Sequence, residues 1–585
     1  MLKEPVPIAA EADSSRSGHV LVLGRDIRAF LSVIRSLGRA SLNVHVGMCP
    51  ADDLALKSKY ISHIHEIPDY DAEPGEWLST IINLAQRYRF DLIIPTHDES
   101  AIPIQIHQEE LRRYARVYSL PPDVFEVAFD KIKSSLLVES LDIRIARQVS
   151  VSLTSLEDGL PDGFNFPVVI KPSSSYISED LANRREVVMV SNAAQLNDTL
   201  PKLKAWDVAL LQEHFEGVGA GVEVLVDSGR ILYAFQHVRV HEPRGGGASS
   251  YRKSIFPIEP ELYAATEKLM ANIGYTGVAM VEYKINPATG DWIFIEINGR
   301  FWGSLPLAIA SGADFPRMLY ELLVDGTVDL PPPPRGEVYC RNIKRDLYWA
   351  IDNLKDRLSD HPSKYSIPLP QVLGEYWRLI TCREHVDSFA TDDPSPALKE
   401  FGSVIAMMVA KAVSVTHRRV RSLGPLHALR RYRIRRRTLG ARKVLFLCSG
   451  NICRSPFAAA YARGVLDPGI EVHSSGFHHV VSRRAPIQAV QSARELGVDL
   501  ASHTSNRIDA ATLDQFDVVF VFEEKHLDAL RSEFPRYRGD VFYLGDALIG
   551  SDYEIADPYG GGADRFRAAY LAIAYAIDFL DTRYG

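Results

Sequence analysis

The chain has 585 residues, 46% hydrophobic and 24% charged, with a formal net charge of −8. That length suggests about four domains, with ample apolar material for several cores. The acidic balance argues against nucleic acid as a general partner. Five cysteines, at 49, 340, 382, 448 and 453, lack the spacing of a disulfide framework or zinc site, which points to a reducing cytoplasm. No run reaches the roughly 18 apolar residues of a membrane helix.

Residues 1–17 are small and polar without an apolar core, and read as a flexible tail rather than a signal peptide. Residues 18–105 alternate strand and helix signals. Val20-Leu21-Val22-Leu23 runs into Gly24-Arg25-Asp26, a helical pattern follows, and Val44-His45-Val46 and Asp91-Leu92-Ile93-Ile94-Pro95 read as further strands. This predicts a small doubly wound α/β unit.

Between residues 106 and 335 the polar pattern becomes more specific. Asp130-Lys131 opens a helix. Phe166 to Pro172 puts Lys171 at the end of an apolar strand, within reach of phosphate oxygens. Leu210-Leu211-Gln212-Glu213-His214-Phe215 is a strand entering a glycine-rich segment, Glu216 to Gly221, followed by Glu223. Val281-Glu282-Tyr283 and Ile295-Glu296-Ile297-Asn298-Gly299-Arg300 come next. Because strand side chains alternate, Glu282, Glu296 and Asn298 place oxygen ligands on one face. Such hard ligands suit Mg²⁺ bridging nucleotide phosphates.

In this order the set resembles the ATP-grasp superfamily, especially carboxylate–amine ligases related to biotin carboxylase and carbamoyl-phosphate synthase. The resemblance spans about residues 18–330. It implies a pre-ATP-grasp α/β domain (18–105) and α+β grasp domains (106–335). It also implies that Lys131 and Lys171 contact ATP phosphates. Gln212, Glu213, His214, Phe215 and Glu223 would serve the nucleotide, with Glu213–Phe215 at the adenine. Glu282, Glu296 and Asn298 would hold Mg²⁺, and Arg300 would stabilise an acyl phosphate formed from an unknown carboxylate for an unknown amine. Where many members have a glycine-rich phosphate lid, this chain has Ser173-Ser174-Ser175-Tyr176. The stretch Arg239 to Arg252, with Gly245-Gly246-Gly247, reads either as a substrate loop whose Arg239 and Arg252 hold a carboxylate or as a flexible exposed loop.

Pro331 to Pro334 makes a stiff break. Residues 336–441 read as a helical region and basic linker, apolar from Phe401 to Ala410 and dense in arginine at Arg430, Arg431, Arg433, Arg435, Arg436 and Arg437. Two readings stand: a packed helix with a solvated linker, or a polybasic interfacial helix that makes the protein a peripheral partner of an anionic membrane.

Val444 to Leu447 is an apolar strand running into Cys448-Ser449-Gly450-Asn451-Ile452-Cys453-Arg454-Ser455-Pro456. Proline suits the first turn of the following helix. The loop therefore lies at a helix N-terminus, where backbone N–H groups and the dipole favour an anion and a thiolate. Arg454 can grip two phosphoryl oxygens through its fork.

This loop resembles that of the low-molecular-weight protein tyrosine phosphatases, over residues 442–585. Asp557-Pro558-Tyr559, His473-Ser474-Ser475-Gly476, Ala485-Pro486, Gly497-Val498-Asp499 and His503-Thr504-Ser505 match its other landmarks. The resemblance implies a doubly wound parallel sheet. It makes Cys448 the nucleophile of a phosphocysteine intermediate, Arg454 the phosphate clamp and Asp557 the general acid. Ser455 would bond the thiolate, and Asn451, supported by His503, would hold the loop, with no cofactor required. Fold-related arsenate reductases need cysteines downstream of the loop, and none follows Cys453. Related arginine phosphatases carry Thr where this loop has Ile452, so a phosphotyrosine protein is the expected substrate and phosphoarginine the alternative. Cys453 is either a packing residue or a reversible disulfide partner of Cys448.

The expected architecture is thus a multidomain α/β protein, an ATP-grasp ligase unit joined to a tyrosine phosphatase. A nucleotide-sensing module that gates the phosphatase is the alternative for the first half.

Overall fold

The computed structural model describes residues 18–581 apart from 158, 177–179, 182, 204, 205, 207, 244–248, 335, 360–365, 422, 423 and 550–552. For 410, 414, 415 and 417–421 it describes the backbone alone. The tail at 1–17 and Gly245-Gly246-Gly247 fall outside the described residues. The chain divides into two compact units that meet in sequence at Val404/Ile405.

The first unit opens with a four-stranded parallel sheet ordered Ile61–Ile64, Asn43–Gly47, His19–Leu23, Leu92–Pro95. Its two adjoining strands His19–Leu23 and Leu92–Pro95 are apolar and largely buried, as strands covered on both faces must be, while the edge strand Ile61–Ile64 is mostly exposed. The strand order reverses between His19–Leu23 and Leu92–Pro95. Turns there carry Gly24-Arg25-Asp26 and Thr96-His97-Asp98 at the C-terminal edge, the usual ligand edge of such sheets. A Cβ on Gly24 would lie 2.0 Å from Thr96 Oγ1, and its φ of +149° also favours glycine.

Two further sheets follow, antiparallel except for the parallel pairing of Tyr339–Arg341 with His385–Val386. The smaller is ordered Gln148–Ser152, Val208–Glu213, Val168–Pro172, Val188–Val190. The larger has seven strands, ordered Trp292–Asn298, Gly277–Ile285, Val218–Asp227, Arg230–His241, Tyr251–Ile255, Tyr339–Arg341, His385–Val386. One face of the larger sheet packs Val222, Val224, Val281, Tyr283 and Phe294 against Leu262, Leu269 and Met270 of the helix Pro260–Asn272. The opposite face carries the charged residues described below.

Residues 336–441 divide between the two units. Tyr339–Arg341 and His385–Val386 join the seven-stranded sheet. The helices Ile343–Arg357 and Leu369–Ile380 are fastened there by buried charge. His241 lies 2.7 Å from Asp346 and 2.8 Å from Glu375, and stacks on Trp349. Burial opposes the imidazolium, but these two carboxylates outweigh it and raise the His241 pKa.

In the second unit, a four-stranded parallel sheet is ordered Glu471–Gly476, Lys443–Cys448, Val518–Val521, Asp540–Tyr543. Its core packs Phe446, Phe520, Phe457, Tyr570 and Ile573. The arginine-dense helix Gly424–Leu439 belongs to this core through Ile434 and Thr438, both 0% exposed. Arg431 lies 4.0 Å over the Phe579 ring, Arg435 donates to the Asp581 carbonyl, and Arg433 and Arg437 pair with Asp540. These contacts engage much of the basic run within the unit, which weakens the polybasic-membrane reading. No helix among the described residues is long and apolar enough to cross a membrane.

Ile434→Ala should therefore destabilise the second unit by about 2–5 kcal/mol, the usual cost of emptying a filled core site. Urea unfolding of a fragment starting at residue 424 measures this. An unchanged midpoint would mean that the helix is not part of the core.

Candidate functional sites

In the second unit the strand Lys443–Cys448 ends at the thiol of Cys448, and Arg454 begins the helix Arg454–Val465. The intervening loop turns because Asn451 adopts φ +51°, a left-handed conformation that asparagine tolerates better than most residues. Gly476 allows the loop to lie against the neighbouring strand: a Cβ there would be 2.9 Å from the Asn451 nitrogen.

Cys448 is nearly buried, with the Asn451 N–H 3.2 Å and Ser455 Oγ 3.1 Å from its sulfur. The Asn451 side-chain amide donates to Ser455 Oγ and Ser474 Oγ, its Oδ1 accepts from the Asn506 N–H, and His503 Nε2 lies 2.7 Å from its carbonyl. Cys448, Asn451, Ser455 and His503 thus form one network.

Arg454 is 1% exposed. Its Nη1 donates to Glu523 at 2.6 Å and to the Ile555 carbonyl at 2.8 Å, and its Nη2 lies 2.7 Å from Asp557. Its Nε is buried with no partner among the described residues. A buried guanidinium N–H left over beside a thiol and loop N–H groups fits a phosphoryl oxygen. Cys453 is buried, and burial together with Cys448 pushes its thiol up to about 12.

Sequence reasoning missed Glu523, Lys525 and His526. Glu523 braces Arg454, and Lys525 lies 2.9 Å from Glu523 and 4.0 Å from Asp557. His526 closes a capping box with Glu523 at the start of the helix Glu524–Glu533. Its Nε2 lies 3.0 Å from Ser449 Oγ. A residue pair three apart ahead of a helical pattern was the available signal.

In the first unit Glu282 and Glu296 stand opposite each other in register, with Asn298 opposite Met280 on the same face. Arg239 lies 2.7 Å from Glu282, and Lys131 lies 3.5 Å from Glu296. Burial and the Glu296 charge raise the Glu282 pKa against the pull of Arg239. Burial also opposes the Glu296 charge, but Lys131, Lys171 and Arg300 outweigh it and hold that carboxyl low. Lys171 is buried, and burial draws it down to about 8, although Glu296 opposes the shift. Two carboxylates and an amide oxygen ringed by cations form a donor set that fits a divalent ion sharing its shell with phosphate. Among the described residues no group of three or more His, Cys, Asp and Glu could hold a metal by itself.

Lys131 Nζ also donates to Ser175 Oγ at 2.9 Å, bringing the serine segment to this lysine. Arg300 makes a two-point pair with Asp98 at 2.6 and 2.9 Å, a partner the sequence did not suggest. Glu213 lies at the end of its strand, and His214 and Phe215 follow it. Gln212 bonds Gln148, and the Phe215 carbonyl accepts from Lys284.

Two expectations change. Arg252 does not face a substrate loop: it is buried, paired with Asp387 and donating to the Gly303 carbonyl. Glu223 does not open toward a nucleotide. It is 0% exposed and closes on His237 and Ser304, because its strand position points it under the Phe301–Ser304 segment.

Strand, anion-binding loop, thiol and clamping arginine define the second unit as a cysteine-dependent phosphatase fold. Residues 443–581 match the family model "Low molecular weight phosphotyrosine protein phosphatase". Over 138 residues the chain is 34% identical to a protein-arginine-phosphatase of Geobacillus stearothermophilus, covering 24% of this chain and 93% of that one. It is 33% identical to the low molecular weight protein-tyrosine-phosphatase Etp of Escherichia coli K12, covering 22% and 84%. Through residues 443–581 the chain belongs to the low molecular weight phosphotyrosine protein phosphatase family.

Residues 206–345 match the model "ATP-grasp in the biosynthetic pathway with Ter operon". The crystal structure of an L-amino acid ligase from Bacillus licheniformis aligns with a TM-score of 0.44 and 14% identity, over 56% of this chain and 79% of that one. A segment that matches an ATP-grasp model, a class that generally uses ATP and a divalent cation, thus precedes the phosphatase-family segment in one chain.

Burial lowers the His526 pKa from 6.5 to about 3, with the Arg454 charge adding to the effect. The folded protein thus keeps His526 neutral where the unfolded chain protonates it. Its contribution to stability is complete above about 6.5 and is lost as pH falls toward about 3. His526→Asn should flatten the acid loss of stability across that window, as read by urea unfolding at successive pH values. An unaltered pH profile would count against a buried neutral imidazole.

Proposed function

We propose that the chain carries two activities: an ATP- and Mg²⁺-dependent ligation that activates a carboxylate for an amine, and hydrolysis of phosphotyrosine on a protein. The phosphatase reading is carried by Cys448, Asn451, Arg454, Ser455 and Asp557 converging on one loop. Cys448 attacks phosphorus in line while Asp557 gives its proton to the phenolate oxygen, and the phosphoryl group passes to sulfur. Asp557 then takes a proton from the water that releases phosphate. Arg454 and the loop N–H groups hold the equatorial oxygens throughout.

The tyrosine preference rests on Ile452, whose apolar side chain suits the wall of an aryl slot. The similarity to arginine phosphatases makes phosphoarginine the competing substrate.

The ligase reading is carried by the pairing of Glu282 with Glu296 between Arg239, Lys131 and Lys171. Glu282, Glu296 and Asn298 would hold Mg²⁺, which when bound neutralises phosphate charge and orients the γ-phosphoryl group. Lys131 and Lys171 would grip phosphate oxygens. Arg300, steadied by Asp98, would face the carboxylate being activated.

Cys448→Ser should abolish hydrolysis of p-nitrophenyl phosphate, and Asp557→Ala should slow phosphotyrosyl peptide turnover by about 10²–10⁴. Normal turnover by Cys448→Ser would refute the covalent route. Ile452→Thr should move relative kcat/KM from phosphotyrosine toward phosphoarginine, and an unmoved ratio would remove Ile452 as the selector.

For the first half, calorimetry should show Mg²⁺-dependent ATP binding that is lost in Glu296→Gln. Losing one carboxylate weakens the hold on the metal and its bound phosphates. Equal binding by both proteins, with and without Mg²⁺, would displace the site.

A further inference from the structure

Glu223 and His237 are not explained by nucleotide or metal binding. In register across the seven-stranded sheet, Gly221 lies between His237 on one neighbouring strand and Glu282 on the other. A Cβ on Gly221 would come within 2.5 Å of His237 Cε1. The imidazole therefore lies over this glycine, on the face that carries Glu282.

His237 Nδ1 is 2.9 Å from Glu223 Oε1, and Ser304 Oγ donates to that same oxygen at 2.7 Å. Glu223 Oε2 is buried with no partner among the described residues. A half-satisfied buried carboxylate of this kind gains when its neighbour becomes positive. With Nδ1–H donating to Glu223, Nε2 keeps its lone pair. This is the carboxylate–imidazole arrangement that fixes a tautomer and makes histidine a base. Arg239, two residues along the same strand, reaches Glu282 and so ties this strand to the carboxylate row.

We propose that His237, oriented by Glu223, is the general base for the amine nucleophile of the ligase. The proposal rests on the ligation reading and adds the step that reading leaves without a residue. The amine lone pair attacks the carbonyl carbon of the acyl phosphate, forming the C–N bond, while an N–H proton passes to Nε2. The C–O bond to phosphate breaks with its electron pair on phosphate. The imidazolium, stabilised by Glu223, returns the proton to the departing phosphate. His237 is the catalytic residue and Glu223 a positioning residue.

Hydroxylamine separates this step from activation, because it is an unprotonated nucleophile at neutral pH and needs no enzymatic base. The full chain is incubated with ATP, Mg²⁺ and a mixture of the twenty amino acids, polyamines and dicarboxylic acids, with or without hydroxylamine. Mass spectrometry follows amide and hydroxamate products. Wild type should give both. His237→Ala should keep hydroxamate formation, which also reports a folded and ATP-competent protein, and lose amide formation by about 10²–10⁴-fold. Glu223→Gln should lower the amide rate, again sparing hydroxamate. Equal loss of both products in His237→Ala, or undiminished amide formation, overturns the assignment of the base. A wild type that gives neither product overturns the ligation reading itself, and this step with it.

Discussion

Arg454 is almost wholly out of water, so its guanidinium must be paired on each side that protein reaches. Glu523, the Ile555 carbonyl and Asp557 do this, and Nε is left over. Removing one partner from a buried charge costs more than the pair contributes, typically about 3–5 kcal/mol. The same demand fixes the loop around the arginine. Glu523 must stand at the start of its helix, which brings His526 against Ser449, and Asp557 must lie beside the guanidinium. The arrangement of Glu523, Asp557 and the loop is in large part the solution to burying one cation beside the Cys448 thiol.

The first unit meets the converse problem. Glu282 and Glu296 are forced together by strand register, and like charges at such separation are costly. Arg239, Lys131 and Lys171 surround them, and Arg300, which also acts on Glu296, is steadied by Asp98 at the start of the helix Asp98–Leu111. Cations set against paired carboxylates leave the site fit for a metal with a polyphosphate, where both signs of charge are used at once.

What could be read from sequence follows from how far apart the interacting residues lie. Cys448 to Ser455 and Glu296 to Arg300 are contiguous, so strand, turn and helix signals placed them. Asp98 with Arg300, Glu523 with Arg454, and Glu223 with His237 each depend on strand order or register, and no spacing rule connects them. Arg252 illustrates the opposite error: an arginine near a glycine run looks like a substrate clamp until Asp387 is brought beneath it.

The arginine run at 430–437 is solvated on one face, at Arg433, Arg436 and Arg437, and packed on the other, which its charge alone does not reveal. Charge density along a sequence reads as solvent or lipid exposure, but a guanidinium is weakly hydrated and packs on aromatic faces. Arg431 over Phe579, with Ile434 and Thr438 turned inward on the same helix, makes this segment a buttress of the phosphatase core. The phosphatase unit therefore begins before its first strand. A boundary drawn at the family motif would expose Ile434's site and strip Phe579 and Asp540 of their cations. In a chain of joined modules, the residues between recognised motifs are better assigned by what their apolar face buries than by their net charge.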